Sequence, residues 1–171
     1  MNNILSNIIR CTIALLLQIF ICNYIHLFGY LTPAIYLFAL FLLPLDIPKS
    51  AQYLIAFVLG FIVDMFMHTL GVNAAACIIL MFARPYIIHL LNGRKTTESN
   101  DIPTPAYKDF RWLLGFVFIL SFVHQATFVM LETFSFHHFG RTLIVILGNT
   151  LLTTAIILSI EYLFYSQSQR A

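Results

Sequence analysis

Charge is scarce in this chain. Asp, Glu, Lys and Arg make up 9% of its 171 residues, where an ordinary soluble domain carries roughly a quarter. With 60% hydrophobic residues and a mean hydropathy of +0.89, a water-soluble fold would leave much apolar surface wet. That excludes a soluble enzyme, a secreted disulfide domain and a disordered tail. Cysteine is scarce too: Cys11, Cys22 and Cys77 sit inside apolar runs with no CxxC pair, so they read as reduced, core-filling thiols. The nine Lys and Arg are scattered rather than clustered on a face, which argues against a nucleic-acid surface. Catalytic signatures are missing as well: there is no HExxH, GxSxG, P-loop or close carboxylate pair.

What the chain has instead is long apolar runs. A spanning helix needs about 20 mostly apolar residues. By that rule the sequence predicts an all-α polytopic membrane protein of six transmembrane helices, a single integral membrane domain over residues 1–171. The first helix runs from about Ile8 to Phe28; no small-x-small cleavage site follows it, so it reads as uncleaved. Thr32 as N-cap and Pro33 in the first turn open a short second helix, which stops near Leu45 where Pro44 and Pro48 bracket Asp46. Ser50 caps a third helix, about Ala51 to Met67. Gly71 and Asn73 form the next turn, and a fourth helix continues to about Leu91. A polar loop, Asn92 to Asp109, precedes a fifth helix over about Phe110 to Leu131 and a sixth over about Arg141 to Phe164.

Positive residues near span ends favour the cytoplasm. With six crossings and the N-terminus inside, the inner side receives seven, Arg10, Lys49, Arg94, Lys95, Lys108, Arg111 and Arg170, and the outer side only Arg141. The reading is a multi-pass protein with both termini, and the loop of residues 92–109, in the cytoplasm.

An ionisable residue at bilayer depth costs about 2.5–3.5 kcal/mol on insertion scales and calls for a reason. Asp64 lies about one turn from the outer end of the third helix, with His68 at i+4 on the same face. It either staples the turn, against the Asn73 amide or the exposed N–H groups opening the fourth helix, or lines a pocket or partner surface. Arg84 and Glu161 share an inner depth, so Arg84 either pairs with Glu161 or snorkels to the headgroups. Glu132 and Arg141 flank one outer connection and can pair there. His124, Gln125 and Asn149 fall mid-span, where they bond between helices. His26, His68, His137 and His138 map to the outer side without ligand spacing and read as interfacial, so neither a metal nor a cofactor is implied. The run Gly71, Ala74, Ala75, Ala76 lets the fourth helix approach a neighbour closely.

The stretch Gly60-Phe-Ile-Val-Asp64-Met-Phe-Met-His68-Thr-Leu-Gly71-Val-Asn73-Ala-Ala resembles the core signature of the rod shape-determining MreD family. There a Gly and an Asp four residues on precede a small or polar turn and a Gly-x-Asn-Ala helix start. Chain length and short-linked helices are similar too, while Met65, Phe66, Met67 and His68 replace the smaller polar residues often found in the family's turn. The resemblance implies a non-catalytic component of the bacterial inner membrane in the cell-elongation machinery. Its partner would be a bitopic MreC-like protein, linked through it to the MreB filament and to peptidoglycan synthases. It also implies a fold similar to the substrate-binding subunits of energy-coupling-factor transporters. On it, Gly60, Asp64, His68, Gly71 and Asn73, with Arg84 and Glu161 from the charge reading, are the candidate structural or partner-binding residues.

Two other classes stand beside this expectation. A vitamin-binding transporter subunit fits the helix count, but those subunits carry an Ala-x-x-x-Ala docking face on an early helix, where the first helix here has only Ala14. An intramembrane enzyme would need Asp64 or His124 in a catalytic role, with partners the sequence does not supply.

Overall fold

The computed structural model describes residues 2–22, 32–45, 47–92, 110–133 and 139–168, and the side chains of 2–8, 21–22, 139, 141 and 164–168 fall outside that description. The elements are α1 (Asn2–Leu17), continued by a π-helical turn Gln18–Cys22, then α2 (Leu37–Phe41), α3 (Lys49–Met67), α4 (Val72–Asn92), α5 (Phe110–Thr133) and α6 (Phe139–Ser168). The described residues form helices and turns only. Readings that fall on Cys22, His26, Asp46, the loop from 93 to 109, His137, His138 and the Arg141 side chain lie outside the described part.

Among the described residues, four helices are long and apolar enough to cross a membrane: α3, α4, α5 and residues Thr142–Leu163 of α6. Their outward faces are apolar, with Leu54, Phe57, Phe61 and Met65 exposed on α3 and Ile144, Leu147 and Leu151 on α6. Polar side chains turn the other way: Gln18, Asp64, Asn73, Arg84, Ser121, His124, Gln125, Asn149 and Thr153 are all buried. Apolar outside and polar inside is the arrangement a hydrocarbon solvent selects.

The expected second helix is not a continuous one. Only Leu37–Phe41 is α-helical, flanked by single turns that begin at the Ala34 carbonyl and end at the Leu43 N–H. Pro44 has no N–H to continue the ladder and restrains the residue before it, so the helix closes there. Every residue from Pro33 to Leu42 is buried. A segment apolar on all sides belongs equally in lipid or inside protein; here it is the centre of the bundle. Phe41 packs edge-on against Phe116, and the core around the segment takes in Ala56, Leu80, Leu113 and Ile157 from α3 to α6.

An irregular backbone at that depth must have its polar groups met by protein. At the start of the segment, Thr32 N–H donates to Asn149 Oδ1 at 3.0 Å, Ala34 N–H to Thr153 Oγ1 at 3.1 Å and Ile35 N–H to Gln18 Oε1 at 2.7 Å. At its end, Arg84 donates through Nη2 to the carbonyls of Phe41 and Leu43, and Gln52 Nε2 donates to that of Ile47 at 2.8 Å. Side chains of α1, α3, α4 and α6 thus hold one buried segment.

The third helix opens at Lys49, with the Pro48 carbonyl accepting from Ala51 and Gln52 N–H; Ser50 lies inside the first turn and is not the cap. At the far end of the bundle's α4–α5 pair, Trp112 Nε1 donates to Asn92 Oδ1 at 2.7 Å, joining the last residue of α4 to the first turn of α5.

Candidate functional site

The turn between α3 and α4 is built on two residues of α3. Gly60 faces Asn73 and Ala74 so closely that a Cβ on it would lie 2.6 Å from Ala74 Cα and 2.8 Å from the Asn73 carbonyl oxygen. Only hydrogen fits there, and the helices meet backbone to backbone. One turn on, Asp64 is buried beside the start of α4. Its Oδ1 accepts from Asn73 N–H and Asn73 Nδ2, both at 3.0 Å, and from the Thr69 hydroxyl; Oδ2 accepts from Ala74 N–H at 2.9 Å.

This is an N-cap supplied from another helix. The first N–H groups of a helix have no intrahelical acceptor, and a Ser, Thr, Asp or Asn at the N-cap normally meets those of the second and third positions. Gly71 stands at that position in α4 with no side chain to offer, and Asp64 fills the role from seven residues upstream. The negative charge also lies at the positive end of the helix dipole. Stapling of the turn, one of the two expectations for Asp64, is therefore what the geometry shows.

His68 takes a different place from the one expected. Helix α3 ends at Met67, and His68 turns out of it in a left-handed conformation, φ 56° and ψ 30°, with an exposed side chain. It does not share the Asp64 face, because the i+4 relation holds only while the helix continues. Gly71 is also left-handed, φ 79°, so both bends of the turn use positive φ.

Asn73 carries the network inward. Its Nδ2 donates to Asp64 and to Thr69 Oγ1 at 3.2 Å, which leaves its Oδ1 facing the Tyr36 hydroxyl at 3.1 Å. Tyr36 has a single proton and gives it to that oxygen. The 2.8 Å contact between Tyr36 Oη and His124 Nε2 must then be a bond donated by the imidazole. The network so infers His124 as the Nε2–H tautomer, with Nδ1 an acceptor that is buried and meets no donor among the described residues. Cys77 Sγ closes the cluster at 3.6 Å from Tyr36 Oη.

The expected interhelical role of His124 and Asn149 is met chiefly through the segment of residues 32–45, with Cys77 Sγ of α4 also 3.8 Å from His124 Nε2. Tyr36, Gln18 and Thr153 were not singled out from sequence, although a lone hydroxyl or amide in an apolar run is the signal that marks such residues.

Arg84 and Glu161 are arranged otherwise than expected. Arg84 does not pair with Glu161 and does not snorkel: it is 1% exposed, and its Nε and Nη1 have no partner among the described residues. It reaches the carbonyls ending the segment of residues 32–45, as a cation at a helix C-terminus does. Glu161 is itself buried on α6, 6% exposed. Sequence depth alone put Arg84 and Glu161 level, but they lie on helix faces turned to different neighbours.

A small cavity, about 20 Å³, lies against Gln18, Thr32, Tyr36, Asn73, His124 and Gln125. Among the described residues no group of three His, Cys, Asp or Glu is placed to hold a metal ion. Fold and site together define an all-helical chain with membrane-spanning character, organised around a buried polar network. The chain matches no protein-family model, no curated protein and no solved structure.

Proposed function

We propose that this chain is a non-catalytic membrane component of a bacterial cell-wall elongation complex, of the kind the MreD resemblance implies. In this reading it crosses the inner membrane six times with both termini in the cytoplasm, the buried segment of residues 32–45 making the second passage. It binds a bitopic MreC-like partner and, through it, the cytoskeletal filament and the peptidoglycan synthases. One observation carries the reading: Gly60, Asp64, Gly71 and Asn73, the residues of the resemblance, form one compact unit. Gly60 permits the close approach of α3 to α4, Gly71 the bend, and Asp64 with Asn73 the cap. A motif whose members act together as a staple supports a shared architecture better than scattered identities would. The seven-to-one distribution of Lys and Arg supports the orientation.

A vitamin-binding role draws less support. The cavity by Asn73 and His124 is about 20 Å³, against roughly 300–1,000 Å³ for a small-molecule pocket. The test is copurification in mild detergent from a bacterium that makes the protein. Recovery of an MreC-like single-span protein is expected. Recovery of an ATPase module with a retained vitamin, or of no partner while other membrane complexes survive, overturns the proposal.

A further inference from the structure

We propose that the cavity beside Tyr36 and His124 is an internal hydration site that holds one ordered water against the side-chain amide of Gln125. Gln125 is 3% exposed, lines the cavity and makes no hydrogen bond among the described residues. A buried amide brings two donors and an acceptor, and such groups are met by protein or by ordered water. The cavity volume of about 20 Å³ suits that guest, since a water needs roughly 10–15 Å³ on this measure and two to four polar partners. Gln18, Thr32, Tyr36, Asn73 and His124 supply polar neighbours on the remaining walls.

The chemistry of the walls selects a neutral guest. Asp64 does not line the cavity, and its two oxygens already accept from four donors. Arg84 does not line it either, so neither a cation nor an anion finds a counter-charge. Met67, Phe128, Pro33 and Ala34 complete the lining. The site lies where α1, α4, α5 and the buried segment converge, so the water would join Gln125, otherwise outside the Asp64–Asn73–Tyr36–His124 chain, to that polar centre. This inference stands apart from the cell-wall reading and can fail without it.

The test is magic-angle-spinning NMR of the full chain in lipid bilayers, following polarisation passed from water protons to side-chain amides. Loss of one signal in Gln125→Met assigns the Gln125 amide; should that variant not fold, through-bond correlation in the unaltered chain assigns it. The Gln125 amide is expected to take up water polarisation several-fold faster than the Asn73 amide, whose protons are given to Asp64 and Thr69. Equal, slow uptake at both overturns the proposal. So does transfer to Gln125 from protons of a retained organic molecule.

Discussion

Asp64 and Arg84 are both charged, both buried in a bundle with an apolar exterior, and 20 residues apart in sequence. They are held in different ways. Asp64 receives four hydrogen bonds within one turn of chain, three of them from the opening residues of α4. Arg84 spends one nitrogen on two carbonyls of a neighbouring segment and leaves Nε and Nη1 unmet among the described residues. A buried charge with all its partners fixes geometry, and removing it strands those partners. One that is half met returns little for its burial, and an apolar group of its shape can replace it at small net cost. The Asp64 staple is therefore the rigid point of the molecule, and the Arg84 contact is an adjustable one.

That contrast is broken most directly at the staple. Asp64→Leu strands the Asn73 and Ala74 N–H groups together with the Asn73 amide, and should cost about 3–5 kcal/mol in reversible unfolding measured in mixed micelles. A loss under about 1 kcal/mol would mean the carboxylate is not the cap. Gly60→Ala forces a methyl into the Ala74 backbone, so α3 and α4 must part; we expect a loss of about 2–3 kcal/mol, read from the thermal midpoint in detergent. Tyr36→Phe leaves the Asn73 Oδ1 without its donor and frees His124 Nε2–H, for about 1–2 kcal/mol. In the same variant the side-chain nitrogen NMR signals of His124, protonated at Nε2 in the parent, should show mixed tautomers. His68→Gly relieves the left-handed conformation, which costs an L-residue about 1–2 kcal/mol, and should stabilise by about 0.5–1 kcal/mol after the added chain entropy of glycine. Arg84→Met strands the Phe41 and Leu43 carbonyls but also removes a buried charge with two unmet nitrogens; the two effects offset, leaving it within about 1 kcal/mol of the parent in the same unfolding assay, the smallest effect. A loss as large as that of Asp64→Leu would show the two charges to be equivalent after all.

The long helices were legible because each has enough apolar residues to span, and α3 to α6 fall within a few residues of their expected bounds. The staple was legible for a local reason: Gly60, Asp64, Gly71 and Asn73 lie within 14 residues of chain, so a single turn between two helices brings them together. Arg84 and Glu161 show the opposite case. They share a depth, but which face of α4 meets which face of α6 depends on crossing angles and on what lies between. The segment of residues 32–45 intervenes, and Arg84 bonds to it instead.

The run Thr32 to Leu45 marks the boundary between the two kinds of knowledge. Its prolines and apolar residues foretold a short helix shielded from water, and composition can say no more, because lipid and protein interior solvate a leucine alike. Placing it at the centre required Gln18 from the turn that continues α1, Arg84 from α4, and Asn149 and Thr153 from α6 to meet its backbone groups. Sequence by itself determined that this chain prefers hydrocarbon to water and where its local turn is capped. Tertiary structure alone decided that Tyr36 joins Asn73 to His124, since a hydrogen bond between residues 88 apart exists only once the helices have packed.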